Sequence, residues 1–188
     1  MGVTPFEASP TEVEGLWTIT VKTVAEPRGA VRELYRAGAY AEALGLPPSP
    51  PWAQVNVTET RRGAIRGLHG EDMTKLVAVA SGEAFGAYLD ARRDSPTRGR
   101  VVTAVLRPGT QVLVPPGVCN GFQALAESTQ YLYCFDREWE PGMPGVAVDP
   151  LDPELGIPWP LPVDLADEAQ LSAKDASLPS WAEVSATG

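Results

Sequence analysis

One histidine, His69 in the stretch RGLHG (66–70), is the only imidazole this chain can bring to acid–base chemistry. Histidine titrates nearest neutrality of all side chains, so His69 reads either as a general base or as a satisfied structural residue. Around it, TRRGAIRGLHGEDMTKL (60–76) gathers Arg61, Arg62, Arg66 and Lys75 against Glu71 and Asp72. In a chain of net charge −9 such a patch suits a small anionic ligand, for instance a phosphorylated one, or is a solvated basic edge strand. One histidine cannot supply the two-His-one-carboxylate set of iron oxygenases, and with two scattered cysteines it makes no usual zinc site. The phosphate-binding GxxxxGK[ST] loop, the GxGxxG fingerprint and the GxSxG elbow are all missing. What is left is acid–base chemistry without metal or cofactor, or plain binding.

The elements that must position these residues are short. Nineteen prolines and eighteen glycines punctuate apolar runs, a spacing that predicts many strands joined by turns. Candidate strands lie in 15–24, 53–60, 63–70, 75–92, 99–117 and 129–139, with Ser81-Gly82 and Pro108-Gly109 splitting two of them into hairpins. RAGAYAEALG (36–45) predicts one helix closed by Gly45, and LADEAQLSAKDASL a second short one. LPPSPPW (46–52) reads as a stiff surface loop or a polyproline II ligand. The expectation is an all-β antiparallel sandwich, barrel or jelly roll with one or two short helices. It forms a single domain over 1–188, with a core of about 14–178 and a loosely held tail at 179–188 anchored only by Trp181.

With 44% hydrophobic and 21% charged residues, this is the composition of an ordinary globular protein. The acidity argues against nucleic acid or an anionic membrane as partner. No membrane-length apolar run and no signal-peptide pattern is present, so a cytoplasmic location with reduced Cys119 and Cys134 is expected.

The order of PRGAVREL (27–34), QVNVTETRRGAIRGLHG (54–70), KLVAVASGEAFGAYLDARRDSPT (75–97), VPPGVCNGF (114–122), YLYCFDREWEP (131–141), PLDPELGIPWP (150–160) and LSAKDA (171–176) resembles one family. It is that of the dTDP-4-dehydrorhamnose 3,5-epimerases, sugar-nucleotide enzymes on a cupin-type jelly-roll barrel. The resemblance spans roughly 14–178. It implies a homodimer with strand exchange, and a dTDP-linked 4-keto-6-deoxysugar as substrate. His69 is then the base, Asp175 the carboxylate that orients it, Tyr133 the proton donor and Lys75 the cation beside the sugar ketone. Strand alternation puts Tyr131, Tyr133 and Phe135 on one face, as an inward Tyr133 requires. Arg28 and Arg66 map to arginines that bind the diphosphate or sugar, and Gln54 and Asn56 to polar substrate positions. Strict alternation separates Arg66 from His69, and a bulge at Gly67 would reunite them.

Several mapped positions depart from the family pattern. Asn120 stands for a histidine, Val57 for another, Ala30-Val31-Arg32 for an aromatic run, Trp139 for a tyrosine and Pro144 for a glutamate. Asn120 and Trp139 remain candidates to touch substrate in a remodelled pocket. An intact acid–base set there implies epimerisation at C3, C5 or both. A silent sugar-nucleotide-binding cupin and a ketoisomerase are the alternatives.

Overall fold

The structure, a computed structural model, describes residues 2–44 and 52–187, so most of the proline-rich stretch lies outside the described residues. The six-stranded sheet runs β2 (Glu7–Pro10), β3 (Trp17–Thr20), β11 (Thr110–Val114), β8 (Lys75–Ser81), β13 (Thr129–Phe135) and β6 (Gln54–Thr60). Facing it, a five-stranded sheet runs β10 (Val101–Leu106), β9 (Ala84–Asp90), β12 (Val118–Ala124), β7 (Ile65–Glu71) and β14 (Gly145–Ala147). A small third sheet joins β1 (Gly2–Thr4), β4 (Thr23–Glu26) and β5 (Gly29–Arg32). Every pairing is antiparallel, and the two large sheets form the jelly roll. Among the described residues no helix is long and apolar enough to cross a membrane.

Alternation along the strands divides the apolar residues into three layers. Val77, Val79, Val112, Phe122, Tyr131 and Tyr88 point between the sheets. Leu76, Leu113 and Cys134 point out of the six-stranded sheet, where helix α1 (Ala37–Leu44) covers them with Tyr40 and Leu44. Leu68, Leu89 and Cys119 point out of the five-stranded sheet and are covered by Val148, Leu155 and Trp159. One consequence governs the site. Odd-numbered residues of β8 and β13 face the barrel interior, so Lys75, Tyr133 and Phe135 do so at one end of it.

Two sequence expectations need correction. Ser81-Gly82 and Pro108-Gly109 do turn the chain, but β8 and β9 lie in different sheets, as do β10 and β11. The turns carry the chain from sheet to sheet rather than closing hairpins, because each strand finds its partners among distant segments. The tail is also held firmly. Ser180 and Glu183 form a reciprocal capping box on helix α3 (Trp181–Ala186). The Trp181 amide donates to Asp152 Oδ2 at 2.6 Å, and Trp181 and Val184, three apart, pack on the outer apolar layer. Both cysteines are free thiols.

A buried carboxylate ties down the end of β9. Asp90 is fully buried, receives Nε and Nη2 of Arg92 at 2.8 Å each, and accepts hydroxyl bonds from Ser95 and Thr97. Burial alone would raise its pKa, but these bonds hold it at about 2. Because the folded value lies below the ordinary one, the stabilisation is complete above about pH 4 and is lost as pH falls toward the folded value. Asp90→Ala leaves Arg92 and two hydroxyls without their acceptor. It should destabilise the protein by roughly 3 kcal/mol and lower Tm by on the order of 10 °C in a thermal melt at pH 7.

Candidate active site

At one end of the barrel, inward residues of both sheets enclose a cavity of about 470 Å³. From the five-stranded sheet come Arg66, His69, Glu71 and Asn120. From the six-stranded sheet come Asn56, Thr58, Lys75, Tyr133 and Phe135. Trp139 closes one side and the segment Ser172–Asp175 another. Pairing register explains the gathering. Asn120 sits opposite His69, Tyr133 opposite Asn56, and Phe135 opposite both Gln54 and Lys75. Residues directly opposite on paired strands share a face.

His69 is half-buried, and its Nε2 lies 2.9 Å from Asp175 Oδ1. An ionised carboxylate only accepts, so the ring proton sits on Nε2 and the Nδ1 lone pair is left to act as a base. Asp175 comes from helix α2 (Ala173–Ala176), whose N-cap Ser172 takes the Asp175 amide at 3.1 Å. Burial pushes the Asp175 carboxyl up. The hydrogen bond and charge of His69, the Gly67 amide and Lys174 more than offset this, and it lies below the ordinary carboxylate value.

Lys75 is buried, and its three N–H groups are all used: on the His69 carbonyl at 3.2 Å, on Asn120 Oδ1 at 2.9 Å and on Glu71 Oε2. An ammonium only donates, so Asn120 must turn its oxygen to Lys75 and its NH₂ away from it. The Tyr133 hydroxyl has a pKa pushed well above the ordinary value by burial, then by Tyr131, with Arg66 pulling the other way. It keeps its proton at neutral pH.

Arg66 joins His69 at the cavity through a local irregularity in β7. Register between β12 and β7 shifts between Asn120 and Phe122, opposite Gly67. A Cβ on Gly67 would lie 2.5 Å from Gly121 Cα, so only glycine permits this approach. The guanidinium is then anchored by Nε on Thr60 Oγ1 at 3.0 Å.

Gln54 stands one step behind the lining, donating to Asn56 at 3.2 Å and accepting the Trp139 amide at 2.7 Å. Arg28 is not brought to the cavity of its own chain. It sits exposed in the β4–β5 turn, paired with Glu26 at 2.6 Å. Glu71, Thr58, Ser172 and Lys174 line the cavity without having been singled out. For Glu71 the available signal was its place two residues beyond His69 on one strand. For Lys174 it was adjacency to Asp175.

Among the described residues no three His, Cys, Asp or Glu side chains cluster as a metal set. The arrangement can remove a proton with an oriented imidazole and return one from a phenol on the opposite sheet. Between them the Asn120 amide can donate to an oxygen that gains negative charge, with the buried Lys75 cation behind it.

The sequence model of the dTDP-4-dehydrorhamnose 3,5-epimerase family matches residues 10–183. A Streptomyces griseus protein of that name is 34% identical over 184 residues, covering 95% of this chain and 88% of that one. A 3′-monoepimerase from Streptomyces bikiniensis, solved with dTDP-quinovose, superposes with TM-score 0.85 at 29% identity, covering 95% of this chain and 90% of that one. A 4-keto-6-deoxy sugar epimerase from the novobiocin gene cluster of Streptomyces spheroides gives TM-score 0.79 at 32% identity, covering 95% of each chain. With its matched length, its jelly roll and these relatives, the chain belongs to the dTDP-4-dehydrorhamnose 3,5-epimerase family.

Proposed function

We propose that the protein epimerises a dTDP-linked 4-keto-6-deoxysugar beside its ketone, at one of the two flanking carbons. One observation carries the acid–base reading. The oriented His69 and the protonated Tyr133 stand on opposing sheets and line one cavity. A sugar ring held between them meets a base on one face and an acid on the other. His69 Nδ1 takes the proton from the carbon, and the C–H electron pair moves into the ring–ketone system to give an enolate. The Asn120 NH₂ donates to that oxygen, while Lys75 fixes the amide and contributes its charge. Tyr133 then protonates the carbon from the opposite face, inverting it. The guanidinium fork of Arg66 suits the diphosphate.

Restriction to one carbon rests on the remodelled wall. A double epimerase must hold two sugar poses against one base, and Asn120 and Trp139 change the shape and polarity of the wall where the family pattern has a histidine and a tyrosine. In D₂O with dTDP-4-keto-6-deoxyglucose, deuterium should appear at C3 or at C5 of the product, not at both. Label at both carbons at comparable rates contradicts this. With Tyr133→Phe, exchange should continue from the base side while inverted product falls by about 10²-fold or more. Equal loss of exchange and inversion would remove Tyr133 from the acid role.

The small sheet points to a homodimer. Val3 and Val31 are each 64% exposed, and β1 and β5 bury none of their residues within the chain. Such a ribbon is marginal in isolation and gains by pairing with a second copy. That pairing would carry Arg28 to the neighbouring cavity. Light scattering at micromolar concentration should give twice the mass of the chain; a fully active monomer contradicts it. A cytoplasmic location fits the reduced thiols and the sugar-nucleotide substrate.

A further inference from the structure

A second, smaller cavity of about 250 Å³ meets the first at His69, Glu71, Trp139 and Lys174. Of these, Glu71 is the one acceptor-only group, and the acid–base steps above leave it without a part. We infer that Glu71 is a specificity residue: its free carboxylate oxygen accepts a hydrogen bond from the sugar hydroxyl next to the ketone. The inference rests on the sugar-nucleotide reading above and deepens it.

The argument begins with the strand. Glu71 follows His69 by two residues on β7, so both side chains leave the same face, about 7 Å apart. Two neighbouring side chains on one face can therefore converge on one sugar ring, His69 at a carbon and Glu71 at a substituent. Glu71 Oε2 is occupied by Lys75, which fixes the carboxylate plane. Among the described residues Oε1 receives no hydrogen bond, although only 18% of the side chain is exposed. A carboxylate held by Lys75 on one oxygen, with the other open to the cavity, can take a substrate donor there in place of water.

The neighbours decide which donor. Lys75 bonds both Glu71 and Asn120, so Glu71 stands on the same stretch of cavity wall as the amide that would hold the ketone oxygen. The substituent nearest that oxygen is the hydroxyl on the adjoining carbon. A carboxylate accepts from a hydroxyl and offers nothing to a sugar that is deoxy at that carbon. Its paired cation keeps it from repelling the distant diphosphate at Arg66. Sites built around a substrate hydroxyl reject the analogue lacking it far more strongly than an apolar pocket rejects a missing methylene.

The test compares calorimetric affinities for dTDP-quinovose and its 3-deoxy counterpart, so it needs no turnover. The wild-type protein should prefer the hydroxylated sugar by roughly 10- to 100-fold, the range of a hydrogen bond to a charged acceptor. Glu71→Ala should shrink that preference to within about threefold. Glu71→Gln, which keeps the shape but offers the hydroxyl only an uncharged NH₂, should lower the ratio part of the way and guards against a folding failure. A wild-type preference below about threefold, or a ratio unchanged in both variants, overturns the inference. Affinity for dTDP and solvent exchange by the wild-type protein report separately on the sugar-nucleotide reading. Binding of neither ligand overturns both.

Discussion

His69→Asn lowers proton exchange and turnover by at least about two orders of magnitude, with little change in Tm. General-base contributions run to about 10²–10⁴, and among the described residues no other imidazole can substitute. Asparagine ends short of Asp175, but that carboxylate keeps the Gly67 amide and borders the cavity, where water can take the place of the ring, so the cost to the fold stays small. KM should change little, because the proposed role of His69 is in proton removal and Arg66, which lines the same cavity, is untouched. Steady-state kinetics with a thermal melt on the same preparation separates the two effects. Activity within tenfold of wild type would end the assignment of His69 as base.

Asp175→Asn produces the next largest loss, about 10²-fold or more in kcat. The carboxylate accepts from His69 Nε2 at 2.9 Å and, through Oδ2, from the Gly67 amide at 3.4 Å. The substituted amide can present its NH₂ to the ring instead, which favours the tautomer with the proton on Nδ1. The lone pair then faces that amide rather than the sugar, and the base is lost without any change of bulk. The depressed pKa of Asp175 adds a check on sign. Since the folded value lies below the ordinary one, Asp175 stays ionised through mildly acidic pH. Protonation of Asp175 should therefore not set the acidic limb of kcat/KM in the wild type. A variant with normal kcat and only a raised KM would make Asp175 a binding residue.

How far these residues were legible in the sequence differs from one to the next, and the physics explains why. The all-β antiparallel class was readable because alternation and turn residues are local signals, and β6, β7, β8, β11 and β13 fall where the pattern predicts; the jelly roll among its alternatives entered through the family resemblance. Which strands pair was not. Ser81-Gly82 looks like a hairpin turn, and only long-range packing sends β8 and β9 into opposite sheets. His69 announces itself by being unique, whereas Asp175, 106 residues away, is invisible to local patterning and entered only through the family resemblance. Arg66 required a defect in strand geometry: alternation shows that one is needed, and Gly67 marks where it falls. Glu71 was hidden by its own charge: in a segment read for cations it counted as an opposing sign. Helix α3 was missed because a six-residue helix has little intrinsic stability, and its capping box and Asp152 contact provide what propensity cannot.

The central claim is that His69 removes a carbon-bound proton beside a sugar ketone. Its most direct test is mass spectrometry of dTDP-4-keto-6-deoxyglucose after incubation in D₂O with wild-type protein, with His69→Asn and with buffer alone. The structure predicts gain of solvent deuterium with wild type well above the buffer rate, and uptake near the buffer rate for His69→Asn. Wild-type uptake no faster than buffer, or equal uptake by the two proteins, would contradict it.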